Sequence, residues 1–165
     1  MSNGPILPVR LMGLNAVVPS RNGPTSVGLD LFSPITFTLG PGCRVHVPLD
    51  LAVEIPVGFY GLIVYRSSLS LKYGVICLGG QLIIFHLYPF FSFNFHLYPH
   101  FLLGVIDSCY RGPIGVILQN IGNMTYYINS MDPIAQMIIM PFLTVSPQVV
   151  TILSPSIRGN LGGHS

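Results

Sequence analysis

The sequence predicts an all-β fold, a sandwich or barrel, and three observations carry that expectation. Helical periodicity is nearly absent. Short runs of β-branched and aromatic residues recur along the chain instead. Gly and Pro, 18 and 15 of them in 165 residues, punctuate those runs as turns between short strands.

The elements follow in order. SVGLDLF (26–32) reads as a strand. ITFTL (35–39) alternates, and GPG (40–42) turns the chain. RVHVPLDLAVEI (44–55) alternates again, with a break near Pro48, which cannot donate to a ladder. PVG (56–58) turns into FYGLIVY (59–65). SSLSLK (67–72) is the stretch suited to a helical turn. GVICL (74–78), IGVILQN (114–120), TYYI (125–128), IAQMIIM (134–140) and QVVTIL (148–153) complete the strands.

The length suits one domain, 1–165, with a core that needs neither metal nor disulfide. Half the residues are hydrophobic and 7% are charged, against about a quarter in ordinary proteins. So few charges point to an oligomer that buries apolar surface between subunits. A formal charge of +2, carried by scattered residues, excludes a nucleic-acid groove. Cys43, Cys77 and Cys109 have no CxxC spacing, so a zinc site and a disulfide framework are both unexpected. A reducing compartment, cytoplasm or nucleus, follows. The first twenty residues lack the basic start and long apolar core of a signal peptide.

Residues 81–103, QLIIFHLYPFFSFNFHLYPHFLL, are long enough to cross a bilayer. Pro89, Pro99, three His and Asn94 argue against a span, so no membrane partner is expected. FHLYP occurs twice there, at 85–89 and 95–99, as a local duplication. The five His show no metal-ligand spacing.

Five polar spots interrupt the apolar pattern. VGLDLFSP places Asp30 inside a strand, where an edge or turn carboxylate is the plain alternative. YRSSLSLKYG puts Arg66 beside Ser67 and Ser68; a guanidinium fork and hydroxyls suit phosphate oxygens, although Arg-Ser-Ser is also an ordinary surface turn. GVIDSCYRGPIG gathers Asp107, Tyr110 and Arg111 in one turn. Asp107 suits proton acceptance from water and Tyr110 suits stacking on a sugar, whereas an Asp107–Arg111 ion pair is the structural alternative. MDPIAQM carries Asp132 and Gln136 into a strand. The tail, SIRGNLGGHS, sets Arg158 before three glycines, as either a phosphate-cradling segment or a frayed end.

Taken in order, the Asp strand, the Arg-Ser-Ser turn, the Gly-Val-Ile-Asp-x-x-Tyr-Arg-Gly hairpin, the Asp-x-Ile-Ala-Gln strand and the Arg-Gly tail resemble the five motifs of the trimeric dUTPase family. GFYGLIVYRSSLSLKYGV and GVIDSCYRGPIGVILQN are the most specific pieces. The resemblance implies a jelly-roll-like all-β subunit and a homotrimer whose sites are shared between subunits. It implies Mg²⁺-dependent hydrolysis of dUTP to dUMP and pyrophosphate. Asp107 would activate water and also bond the 3′-OH. Tyr110 would pack beneath the deoxyribose and exclude a 2′-OH. The Val105 and Ile106 backbone would read uracil. Arg66, Ser67 and Ser68, with Arg158 and Gly159 from the tail, would hold the phosphates. Asp30 and Gln136 would reach the metal through its water shell.

Three departures stand out. Residues 81–104 are an inserted apolar, aromatic loop; without them the chain would read GVICLGGVIDSCYRG, a family hairpin. The flexible C-terminal arm, 154–165, ends in Gly-Gly-His-Ser without the family's uracil-stacking aromatic. Pro133 replaces the family's basic residue, and Met131 replaces a glycine. An active dUTP diphosphatase is therefore weighed against a catalytically impaired binding or regulatory protein that uses the insert as a partner surface. A compact, drifted motif set of this kind also suits a virus-encoded protein.

Overall fold

The computed structural model describes residues 5–79 and 104–155; the insert and most of the C-terminal arm, with Arg158 and Gly159, lie outside them. The predicted alternation becomes ten strands: β1 (Val9–Leu11), β2 (Leu29–Phe32), β3 (Phe37–Leu39), β4 (Arg44–Val53), β5 (Phe59–Val64), β6 (Val75–Gly79), β7 (Gly104–Ile106), β8 (Ile114–Asn120), β9 (Tyr126–Ile128) and β10 (Pro133–Pro141). A helix, α1 (Ser67–Tyr73), stands where the helical turn was expected.

Two four-stranded sheets, ordered β1-β4-β8-β6 and β2-β10-β5-β7, are joined by the ribbon β3-β9, and every pairing is antiparallel. Both sheets turn apolar residues into one shared cluster that includes Leu31, Val47, Ile63, Ile106, Leu118 and Met137. The period of two in strand side chains makes this possible: Val116 and Leu118 are fully buried, with the half-buried Ile117 between them. Fully buried Asn120 ties the end of β8 to the ribbon. Its Nδ2 donates to the Leu39 and Met124 carbonyls at 2.8 and 2.7 Å, and its Oδ1 accepts from Gly122 N at 2.9 Å.

The break foreseen near Pro48 is a register shift between Pro48 and Leu51, with Asp50 at a φ of 53°; β4 runs on through it. Gly74, expected to open a strand, caps α1 instead at a φ of 67°. β1 is an addition the pattern did not suggest.

Two expectations need correction. Residues 148–153 form no strand; Val149 is 99% and Ile152 84% exposed, and among the described residues no strand pairs with them. The hairpin expected from the arms flanking the insert is not a paired hairpin either. β6 pairs with β8 and β7 with β5, so the two arms belong to different sheets. Among the described residues no helix is long and apolar enough to cross a membrane.

Candidate active site

Three of the polar spots meet on one sheet. Gln136 of β10 lies directly opposite Asp30 of β2 on one side and Val64 of β5 on the other. Residues opposite each other across strands share a face, and so does the residue two positions on. Arg66, two beyond Val64, therefore leans back over the same row. Asp30 is buried, and its carboxylate receives Gln136 Nε2 at 2.8 Å and Arg66 Nη2 at 3.4 Å. Arg66 Nε also stands 3.2 Å from Asp30 Oδ1, but it is not aligned for a hydrogen bond, so that approach is a charge contact. Arg66 Nη1 donates to the Pro133 carbonyl at 3.0 Å.

Local sequence explains the fit. A Cβ at Gly28 would sit 3.1 Å from the Gln136 amide, closer than most real contacts, so glycine leaves room for that side chain. A register shift between Pro133 and Ala135 breaks the β2–β10 ladder where the Pro133 carbonyl turns to Arg66. Ser67 and Ser68 are exposed at the start of α1, which has no side-chain cap. Tyr126 belongs to the same neighbourhood. Burial first, then Tyr73 and Asp132, push its phenol up, while Arg66 pulls it down.

The second cluster is the turn after β7. Ile106 is fully buried, Val105 is 45% exposed and Asp107 is exposed. Tyr110 N closes the turn on the Asp107 carbonyl at 3.0 Å, and Tyr110 Oη donates to the Pro113 carbonyl at 3.0 Å. A Cβ at Gly112 would collide with the Tyr110 hydroxyl, so the YRG spacing lets the ring fold over its own turn. Arg111 does not pair with Asp107. Its Nη2 lies 3.2 Å from Glu54 Oε1, a partner that local sequence gave no reason to choose. Both groups are about half exposed, so solvent screens this pair and it contributes little to stability.

The two clusters lie far apart within one chain. Ile63 is opposite Gly104, and β5 and β7 run antiparallel, so Arg66 and Asp107 lie three residues beyond that pair in opposite directions. Six residue steps at about 3.3 Å each separate them by about 20 Å. Among the described residues no group of three or more His, Cys, Asp or Glu could hold a metal ion.

A family model for dUTPase matches residues 15–85 and 96–165. The chain belongs to the dUTPase family. The residues this dUTPase model leaves out, 86–95, span one period of the FHLYP duplication. Among curated relatives, the deoxyuridine 5'-triphosphate nucleotidohydrolase of Oryza sativa subsp. japonica is 34% identical over 158 residues, covering 96% of this chain and 78% of that protein. The Yaba monkey tumor virus dUTPase is 35% identical over 147 residues, covering 89% and 86%. Among solved structures, the dUTPase of Staphylococcus bacteriophage 80alpha with dUPNHPP superposes with a TM-score of 0.76 at 26% identity, covering 98% of this chain and 97% of that one. An aspartate-to-asparagine mutant dUTPase from phage phi11 of S. aureus, described as coordinating a structural Mg(II) ion, gives 0.71 at 27% identity, covering 90% and 98%.

Proposed function

We propose that this dUTPase hydrolyses dUTP to dUMP and pyrophosphate in a homotrimer, with Asp107 of one subunit acting on a triphosphate gripped by Arg66 of another. The observation that carries this is the opposed placement of the two clusters. Each is locally well formed, yet one chain holds them about 20 Å apart along its sheet. Bringing the carboxylate and the phosphate grip onto one substrate needs a second copy. Exposed Leu143, Val149, Ile152 and Leu153 supply apolar surface for such contacts.

In this reading Asp107, exposed at its turn, accepts a proton from water as the water oxygen attacks the α-phosphorus. The bond from that phosphorus to the bridging oxygen breaks, and pyrophosphate leaves. Arg66 offers its guanidinium to the charge that develops on the phosphates, helped by the Ser67 and Ser68 hydroxyls, with Arg158 and Gly159 joining from the C-terminal arm. Tyr110 presents its ring as a floor for the sugar. Among the described residues β7 pairs with β5 alone, and the Val105 and Ile106 backbone on its other side would read the base. The donor set suits Mg²⁺ that arrives on the phosphates with its waters, within reach of Asp30 and Gln136, better than an ion caged by protein. When bound, such an ion neutralises phosphate charge. The relatives named above are nucleotidohydrolases, which favours hydrolysis over the binding-only alternative.

Pyrophosphate release from dUTP with Mg²⁺ tests the reading. Asp107→Asn should lose at least about 100-fold in turnover. Arg66→Ala and Asp107→Asn subunits, each inactive alone, should regain activity when unfolded together and refolded as mixed trimers. Absence of turnover in the wild type would end the hydrolytic reading. Mixed trimers no better than their parents would end the shared site.

A further inference from the structure

We propose that Asp30, Gln136 and the main-chain carbonyl of Pro133 form a seat that aims the Arg66 guanidinium, making Asp30 and Gln136 positioning residues that act through Arg66. This rests on the reading of Arg66 as the phosphate grip. It gives Asp30 and Gln136 a task that needs no metal.

The contacts are directional. Gln136 Nε2 holds Asp30 Oδ1 at 2.8 Å, which fixes the carboxylate plane. That carboxylate meets Arg66 along the Nε and Nη2 edge at 3.2 and 3.4 Å. The Pro133 carbonyl takes Nη1 at 3.0 Å. A guanidinium carries about five N–H donors. Nη1 and Nη2 each spend one donor on the seat and keep one, while Nε makes only the charge contact. The donors left on these two adjacent nitrogens are the ones offered to phosphate oxygens.

Burial makes the seat effective. Asp30 is 5% exposed, and its side chain and that of Arg66 are 8% and 18% exposed, so water competes weakly for these contacts. A side chain already held in its bound geometry loses less freedom when the ligand arrives. The third contact comes from the main chain: the Pro133 carbonyl reaches Arg66 at a break in the β2–β10 ladder.

The probe is inorganic tripolyphosphate in EDTA, measured by titration calorimetry on the wild type, Arg66→Ala, Arg66→Lys and Gln136→Met. Gln136→Met keeps the side-chain length and removes the amide donor; circular dichroism confirms that it folds. Arg66→Ala should weaken binding at least tenfold. Arg66→Lys should rescue little, because it restores charge without the fork. Gln136→Met should weaken binding about fivefold in EDTA, where no metal contributes, and raise the KM for dUTP by a similar factor, more than it lowers kcat. Wild-type affinity for Gln136→Met in EDTA, beside a weakened Arg66→Ala, would overturn the seat alone. Failure of the wild type to bind, or Arg66→Ala binding as tightly as the wild type, would remove both the grip and the seat.

Discussion

Replacing Met131 with glycine should stabilise this protein, and the structure allows the gain to be worked out. Met131 has a φ of 72°, in the left-handed region that L residues avoid. The turn holds it there: Met131 N donates to the Ser33 carbonyl at 2.7 Å, and Asp132 N donates to the Asn129 carbonyl at 3.1 Å. Its side chain is 65% exposed, so truncation removes little packing. The conformational penalty for an L residue there is about 1–2 kcal/mol. Glycine returns about 0.5–1 kcal/mol of that as extra freedom in the unfolded chain. The net gain is about 0.5–1 kcal/mol, a rise of about 1–4 °C in Tm for a chain of this size. Thermal unfolding followed by circular dichroism measures it, at one protein concentration because subunit association shifts Tm. Met131→Ala is the control, since it shortens the side chain but keeps the penalty, and it should not gain. A glycine variant that melts at or below the wild type would refute the reasoning, as would an alanine variant that gains equally.

Gly74→Ala should have the opposite effect. Gly74 sits at a φ of 67°, and a Cβ there would lie 2.7 Å from the Gly122 backbone nitrogen. A loss of at least about 2 kcal/mol is expected, read as a lower urea midpoint. Burial pushes the Cys77 thiol up to about 11. Its reaction with a thiol reagent at pH 8 should therefore be slow and should speed up once denaturant opens the fold. Burial lowers His46, whose ring lies over Gly115. The unfolded chain then binds the proton more readily, so the stabilisation is complete above about pH 6.5 and is lost as the pH falls through the lower folded value. The gap in urea midpoint between the wild type and His46→Gln should shrink from pH 8 to pH 5; a constant gap would contradict this.

Strands and turns were legible because they depend on near neighbours. Alternation placed β4, β8 and β10 to within a few residues, and Pro48 marked the irregularity later seen as a register shift. The departure at Met131 was visible as a letter; only the backbone angle gave it an energetic meaning. Partners were harder to read. Glu54 was not foreseen for Arg111, nor the Pro133 carbonyl for Arg66, because each pair is brought together by strand order rather than by spacing along the chain. The expected strand at 148–153 failed for a related reason. Its β-rich composition is real, but a strand needs a neighbour to bond, and the described residues provide none there.

The split between β6 and β7 has a consequence for how the gene can change. Their ends come within 8 Å of each other, yet each is already zipped to a different neighbour, β8 or β5. Neither ladder counts the residues that join them. Doubling a loop's length costs only about 0.6 kcal/mol in closure entropy. This junction can therefore gain or lose a decapeptide without shifting the reading frame of hydrogen bonds that delivers Asp107 to its turn.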